Sequence, residues 1–123
     1  MNHSRPKNLN LFTIRFPLPA IVSILHRISG FVLFLLIPVL LWVLQLSLQE
    51  SGFALLKEWM QSFTAKLLFW ISLMPLCYHL IAGLRHLLSD LHIGNTRKGG
   101  KLAALLTLIF SVVLVILVGV WLW

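Results

Sequence analysis

Three long apolar stretches dominate the chain, and each is bounded by polar or charged residues. The first meets no charged residue between Arg27 and Glu50, and the third has none from Leu102 to the last residue. A helix needs about 20 apolar residues to cross a bilayer. The pattern therefore predicts an all-α, polytopic membrane protein with three transmembrane helices, over residues 21–48, 63–91 and 102–123.

Shorter segments flank these spans. Residues 1–20 contain Pro17 and Pro19, which disfavour a regular helix, so we expect an extended or turned segment at the membrane surface. This segment lacks the apolar core of a signal peptide, and we expect it to stay in the mature protein. The stretch from Gln49 to Ser62 is amphipathic and is expected to rest in the membrane interface. Residues 92–101 are predicted to form a loop, because they are rich in glycine and charge.

The composition agrees with a membrane protein and limits what else the chain can be. Of its 123 residues, 59% are hydrophobic and only 11% are charged. Three spans use most of this length, so we expect a single membrane domain, residues 1–123, with no soluble catalytic lobe. The net charge of +7 would suggest nucleic acid in a soluble protein. Here it indicates membrane topology, and no nucleic-acid partner is expected.

The distribution of positive charge predicts the orientation of the spans. Most lysines and arginines fall on one side of the predicted membrane, whereas Lys57 and Lys66 fall on the other, where Glu50 and Glu58 balance them. Positive residues favour the cytoplasmic side. We therefore expect a cytoplasmic amino terminus, including residues 1–20, and a carboxyl terminus outside.

Ionisable residues inside the second span form the first candidate for a functional site. Four residues recur there at helical spacing and share one face: His79, Gly83, His86 and Asp90. Ionisable groups are costly inside a membrane and often mark function. A neutral imidazole can bind haem iron, and a glycine leaves room for the edge of a macrocycle. The alternative is that the histidines only hydrogen-bond neighbouring helices.

Geometry limits how such a haem would be held. His79 and His86 lie two turns apart, about 10 Å along the helix axis, whereas the two axial ligands of one iron approach within ~4 Å. If either histidine binds iron, the second ligand must therefore come from another helix. Covalent attachment needs a C-x-x-C-H motif, and Cys77 is the only cysteine. Any haem is therefore b-type and bound non-covalently.

A second polar cluster lies at the start of the first span. Three of its residues share one helix face: Ser23, His26 and Arg27. The predicted topology puts them at the cytoplasmic level with His86 and Asp90, whereas His79 is expected two turns deeper. Cations at that level suit haem propionates, and Ser23 and Arg27 suit a quinone carbonyl. The alternatives are a serine bonded to its own helix and an arginine that reaches lipid phosphates.

Two further expectations concern packing. The Nδ1–H of His79 is expected to bond a carbonyl near Pro75, which interrupts the same helix. The third span carries a stripe of small residues that suits close helix packing: Ala104, Thr107 or Leu108, and Ser111.

Two motifs carry a resemblance to a known family. The run RPKNLNLFTIRFPLPAIVSILHRISG is followed in the second span by H-x-x-x-G-L-R-H-L-x-x-D. Together they resemble the cytochrome b556 membrane-anchor subunits of succinate dehydrogenase. Such a subunit pairs with a second three-helix anchor, and the two hold one b-type haem and dock a flavoprotein and an iron–sulfur subunit.

The resemblance implies roles for individual residues. His79 would be the axial haem ligand, and the second anchor subunit would supply the other axial histidine. Three residues would neighbour the haem propionates: His26, Arg27 and His86. Ser23 and Arg27 would form part of the ubiquinone site, with Asp90 near its proton supply.

The resemblance also implies a function for the whole chain. It would be one half of the haem-binding anchor bundle of succinate:ubiquinone oxidoreductase, in a bacterial inner membrane with a periplasmic carboxyl terminus, and not an enzyme alone. An anchor of a quinol:fumarate reductase is the nearest alternative. From another class, the alternative is a haem-free membrane scaffold or transporter component.

Overall fold

In a computed structural model, the chain is described at Asn10 and over residues 13–93 and 96–123. Within these ranges it forms helices only, and there is no strand. The described residues form four helices: α1 (Leu18–Ser47), α2 (Glu50–Trp59), α3 (Phe63–Asp90) and α4 (Arg97–Leu122). Helices α1, α3 and α4 are long and apolar enough to cross a membrane. The predicted all-α class with three spans is therefore confirmed.

Helix α1 begins at Leu18, earlier than predicted, and Pro19 lies in its first turn. The expectation that proline would keep this position out of the helix was wrong. The first backbone N–H groups of a helix have no partner within it, so a proline there loses no hydrogen bond, and its fixed φ suits the turn. Pro17 is extended, as expected, and forms the cap. Residues 1–9, 11 and 12 of the predicted surface segment lie outside the described residues.

Helix α4 also begins earlier than predicted, at Arg97 instead of residue 102. Thr96 explains the difference, because its hydroxyl accepts a hydrogen bond from the Gly99 N–H at 3.0 Å. A threonine cap satisfies one of the free N–H groups and starts the helix despite the glycines that follow. Much of the predicted loop is therefore helical, and residues 94 and 95 lie outside the described part of the chain.

The amphipathic segment after the first span folds as helix α2 and packs against α1. Helix α3 ends in a tight turn at His92, which has a left-handed φ of 62°. The N–H groups of His92 and Ile93 bond back to the carbonyls of Ser89 and Leu88, at 3.0 and 3.1 Å. These two bonds close the carboxyl end of α3 and turn the chain towards α4.

Helix α3 is the centre of the bundle, since it contacts both α1 and α4, and those two also contact each other. The three long helices α1, α3 and α4 each contribute one fully buried residue to the core: Val22, Ala82 and Ala104. Tyr78 packs against this core and donates its hydroxyl to the Val22 carbonyl at 2.7 Å. Two of the three core side chains are alanines, so the helices can approach closely.

The small-residue stripe predicted for the third span is buried. Thr107 and Ser111 are 3% and 4% exposed, and each hydroxyl donates to a carbonyl of its own helix. Their polar groups are thus satisfied without a partner helix. Most large apolar side chains, by contrast, point outward, as Phe34 and Val120 do. Such a surface suits lipid tails and neighbouring helices.

Candidate functional site

Three histidines from two helices form a cluster, which we call the histidine cluster: His26 of α1, and His79 and His86 of α3. The rings of His26 and His79 are stacked, with centroids 4.0 Å apart and an interplanar angle of 15°. The rings of His26 and His86 are 4.9 Å apart and tilted by 48°. His26 therefore contacts both histidines of α3, and the predicted polar stripe of α3 faces α1.

The expectation that His79 lies much deeper than His26 was wrong, since stacked rings share one level of the bundle. His26 is eight residues from the start of α1 at Leu18, and His79 is eleven residues from the end of α3 at Asp90. A difference of three residues is only about 4.5 Å along a helix, and two ring side chains can bridge it. The number of turns along α3 gives the axial distance between His79 and His86. It does not give the distance from His79 to His26, which lies on α1.

The Nδ1 atom of His79 is held by helix α1. It lies 3.0 Å from the Ser29 hydroxyl and 3.2 Å from the His26 carbonyl oxygen. The Ser29 hydroxyl donates its own proton to that same carbonyl at 2.8 Å. A carbonyl can only accept, and the serine proton is directed at that carbonyl, so these contacts favour the tautomer in which Nδ1 carries the proton and donates to the oxygens. The expected partner near Pro75 was therefore wrong, because the acceptors belong to α1.

This arrangement fixes the other nitrogen of His79 as the basic one. With the proton on Nδ1, Nε2 carries the lone pair that can bind a metal. Among the described side chains, His26 Nε2 is the only fully buried nitrogen or oxygen atom without a hydrogen-bond partner. His79 Nε2 also has no hydrogen-bond partner among the described residues. Since it is not one of the fully buried atoms, it is accessible at the molecular surface.

Two glycines lie where α1 and α3 meet, and one of them, Gly30, allows a close approach. A Cβ atom at Gly30 would lie 3.0 Å from Cε1 of His79, which is tighter than ordinary contact. A Cβ atom at Gly83 would lie 3.5 Å from Nε2 of His26. The space at Gly83, which we expected to receive the edge of a macrocycle, therefore faces the His26 ring.

The remaining predicted site residues lie where α1 begins and α3 ends, but no hydrogen-bond network joins them. Ser23 is half-buried in the first turns of α1, Arg27 is exposed, and Asp90 is exposed at the last position of α3. Within the described residues, no hydrogen bond or ion pair joins any two of these three. Their grouping around a ligand stays a prediction.

Sequence reasoning missed Ser29, which is 6% exposed and contacts His79 directly. A usable signal was present, because Ser29 follows His26 by three residues and so lies on the same helix face. It also missed Tyr78, whose bond to the Val22 carbonyl ties α3 to α1 beside the cluster. Nothing in the spacing of apolar residues marks that tyrosine.

A helical, multi-span membrane protein with histidines between its spans is the class that this fold and site define. The chain belongs to the succinate dehydrogenase/fumarate reductase transmembrane subunit family, whose family model matches residues 1–118. The resemblance found in the sequence motifs is thereby confirmed.

Individual relatives agree with this assignment. The succinate dehydrogenase cytochrome b556 subunit of Coxiella burnetii (strain RSA 493 / Nine Mile phase I) is 40% identical over 125 residues, which is 100% of both chains. The subunit of the same name from Paracoccus denitrificans is 33% identical, over 93% of this chain and 88% of its own. That of Rickettsia prowazekii (strain Madrid E) is 29% identical, over 96% and 93%. The prediction that the chain is a subunit of an enzyme complex is confirmed.

Proposed function

We propose that this chain is the haem b-binding anchor subunit of a succinate:ubiquinone oxidoreductase, and that residues 1–123 form one anchor domain. The observation that carries the proposal is the state of His79. Its Nδ1–H is held by Ser29 and the His26 carbonyl, and its Nε2 is left basic and unpartnered. Histidines that bind metals typically donate their other ring N–H in this way. A histidine that served only to join helices would not need a fixed free nitrogen.

The residues of the histidine cluster fit a haem. His79 Nε2 is the proposed axial ligand, and a bound haem would supply an iron that accepts and returns single electrons. His26 cannot be the second axial ligand, because a ring stacked on the face of His79 does not lie opposite its nitrogen. The second axial histidine is therefore assigned to a partner anchor subunit.

The side chains of His26, Arg27 and His86 are proposed to hold the haem propionates. The buried Nε2 of His26 lacks a partner among the described residues, and burying an unpaired polar atom is costly. An anionic oxygen would satisfy it. His86 contacts the His26 ring, and Arg27 follows His26 directly and has no ion pair with a described residue. The two imidazoles provide hydrogen-bonding groups and the Arg27 guanidinium provides positive charge for carboxylates.

The quinone site is proposed to include Ser23 and Arg27. Ser23 would donate its hydroxyl to a carbonyl of ubiquinone, and the Arg27 guanidinium would stabilise the negative charge that develops during reduction. Asp90, exposed at the end of α3, would relay protons to the reduced oxygens. The names of the relatives favour this direction over a quinol:fumarate reductase.

The proposed complex contains three other subunits. A second three-helix anchor would cover part of the apolar outer surface, and an iron–sulfur subunit and a flavoprotein would dock where α1 begins and α3 ends. Electrons from succinate would pass through those soluble subunits to the quinone. The chain is proposed to lie in a bacterial inner membrane with a cytoplasmic amino terminus and a periplasmic carboxyl terminus. Most lysines and arginines lie on the side of the membrane that holds the amino terminus, and positive residues favour the cytoplasmic side.

The test compares His79→Ala with His86→Ala in the assembled complex, using low-temperature electron paramagnetic resonance of the oxidised haem. His79→Ala is expected to change or abolish the bis-histidine signal. His86→Ala is expected to keep it and to alter haem potential or occupancy. Assembly is checked by subunit composition. An unchanged signal in an assembled His79→Ala complex contradicts the proposal.

A further inference from the structure

A cavity of about 410 Å³ lies between α3 and α4. Its lining on α3 includes Ile81, Leu84 and Leu88. At 100° per residue, these positions lie on the side of α3 opposite to His79 and His86. The cavity is therefore separate from the histidine cluster, and the proposed haem and quinone sites do not explain it.

The cavity is amphipathic along its length. Ile81 and Phe110 line the end away from the α3–α4 connection, whereas the polar residues Ser89 and Thr96 line the end beside it, together with the apolar Ile93. Arg85 also lines the cavity, one helical turn from Ser89. An elongated molecule with one apolar and one polar end therefore matches the lining better than a uniformly apolar one.

Arg85 is the distinctive group in this cavity. It is half-buried inside a membrane span, and within the described residues it has no hydrogen bond or ion pair. An arginine in a span normally meets an anion or reaches the phosphates at the membrane surface, because an unpaired charge is costly there. The cavity thus contains an unpaired cation that needs an anionic partner.

Arg85 is the one charged residue among the described residues that line the cavity. Three further cations follow Thr96 on the first turns of α4 without lining the cavity: Arg97, Lys98 and Lys101. Asp90, the nearest acidic residue in the sequence, lies on the other side of α3, on the face of His79 and His86. The polar end of the cavity therefore favours an anion and disfavours a group that carries a positive charge of its own.

We propose that this cavity binds one anionic phospholipid of the surrounding membrane. Its phosphate contacts Arg85 and the hydroxyl of Thr96, and an acyl chain lies along Ile81 and Phe110. Basic pockets between transmembrane helices on the cytoplasmic side bind such headgroups. The proposal needs only the three spans and the cavity, so it stands whether or not His79 binds haem.

The test measures lipid binding by the purified, delipidated complex in detergent, using native mass spectrometry. Palmitoyl-oleoyl phosphatidylglycerol is the anionic probe, and palmitoyl-oleoyl phosphatidylcholine is the zwitterionic one. One phosphatidylglycerol is expected to bind roughly tenfold more tightly than phosphatidylcholine, since a charge-assisted contact is gained. Arg85→Gln should remove this preference, and Arg85→Lys should keep part of it, because the charge remains without the planar fork.

Two more variants locate the effect. Ala103→Phe places a large side chain in the cavity and should also abolish tight binding of phosphatidylglycerol, whereas Lys57→Gln, an exposed cation on α2, should change nothing. The same spectra report whether every subunit is present. The proposal is overturned if the two lipids bind equally, as they would were another subunit to fill the cavity. It is also overturned if Arg85→Gln behaves like Lys57→Gln, or if Ala103→Phe binds as the unsubstituted complex does.

Discussion

The imidazole of His26 stacks on that of His79 at 4.0 Å, while the carbonyl of the same His26 accepts from His79 Nδ1 at 3.2 Å. One residue of α1 thus contacts both the face and the Nδ1 nitrogen of a ring on α3. This contact explains residues 23–30, SILHRISG, the end of the first motif quoted above. Its histidine supplies the ring face and the carbonyl, its second serine supplies a hydroxyl, and its glycine leaves the space.

Ser29→Ala removes the hydroxyl that accepts from His79 Nδ1 at 3.0 Å. The His26 carbonyl then remains as the only acceptor, so the imidazole is held less firmly and its Nε2 becomes a weaker ligand. Loss of such a supporting bond commonly costs about 10- to 100-fold in metal affinity. We expect lower haem occupancy and a shifted haem midpoint potential, measured by redox titration of the assembled complex.

Ser72→Ala is the matched control, because the Ser72 hydroxyl makes the same kind of bond to its own helix, to the Phe69 carbonyl at 2.7 Å. It is expected to leave potential and occupancy unchanged. If Ser29→Ala and Ser72→Ala give identical haem properties, then Ser29 only completes the packing of α1 and does not position His79.

Gly30→Ala tests the close approach of the two helices. The added methyl group would lie 3.0 Å from Cε1 of His79, so the ring must shift by a few tenths of an ångström. We expect altered g-values of the oxidised haem in electron paramagnetic resonance, because the orientation of the axial imidazole changes. In Gly100→Ala the new methyl group meets no atom within 4 Å. That control should leave the g-values unchanged and stabilise α4 by about 0.5–1 kcal/mol.

The three spans were predictable from the sequence because they are defined by composition alone. An apolar run between Arg27 and Glu50 has few other solutions in a chain of this length. The helix ends were less predictable, because single residues decide them. Thr96 starts α4 with one hydrogen bond, and Pro19 is tolerated only because it falls within the first turn.

The face of α3 that carries His79 and His86 was also predictable, since helical periodicity determines it. The partner of that face was not, because the axial offset between α1 and α3 depends on how the core residues Val22 and Ala82 pack. The periodicity of apolar and polar residues does not determine this axial offset. For this reason the stacking of His26 on His79, and the role of Ser29 beside it, emerged only from the structure.

Arg27→Lys separates quinone reduction from succinate oxidation. Arg27 is exposed on α1 and has no ion pair with a described residue, so its replacement should not disturb the fold. A lysine keeps the charge but lacks the planar fork of a guanidinium. We expect slower ubiquinone reduction, while succinate oxidation with an artificial acceptor continues. Arg15→Lys, at an exposed arginine before α1, is the control. Equal loss of both activities in Arg27→Lys would instead indicate a role in assembly.

The chain expressed without partners should not form a bis-histidine haem. Within the histidine cluster, His79 is the ring whose Nδ1 is held by hydrogen bonds, and its Nε2 is left without a partner among the described residues. Because the rings of His26 and His79 are stacked face to face, their nitrogens cannot bind one iron from opposite sides. We expect haem titrated into the purified chain in detergent to bind weakly, and its absorption and electron paramagnetic resonance spectra to lack low-spin bis-histidine features. Adding the second anchor subunit should restore them. A low-spin bis-histidine spectrum from the chain alone that is lost in His26→Ala would mean that α1 and α3 rearrange to place His26 opposite His79.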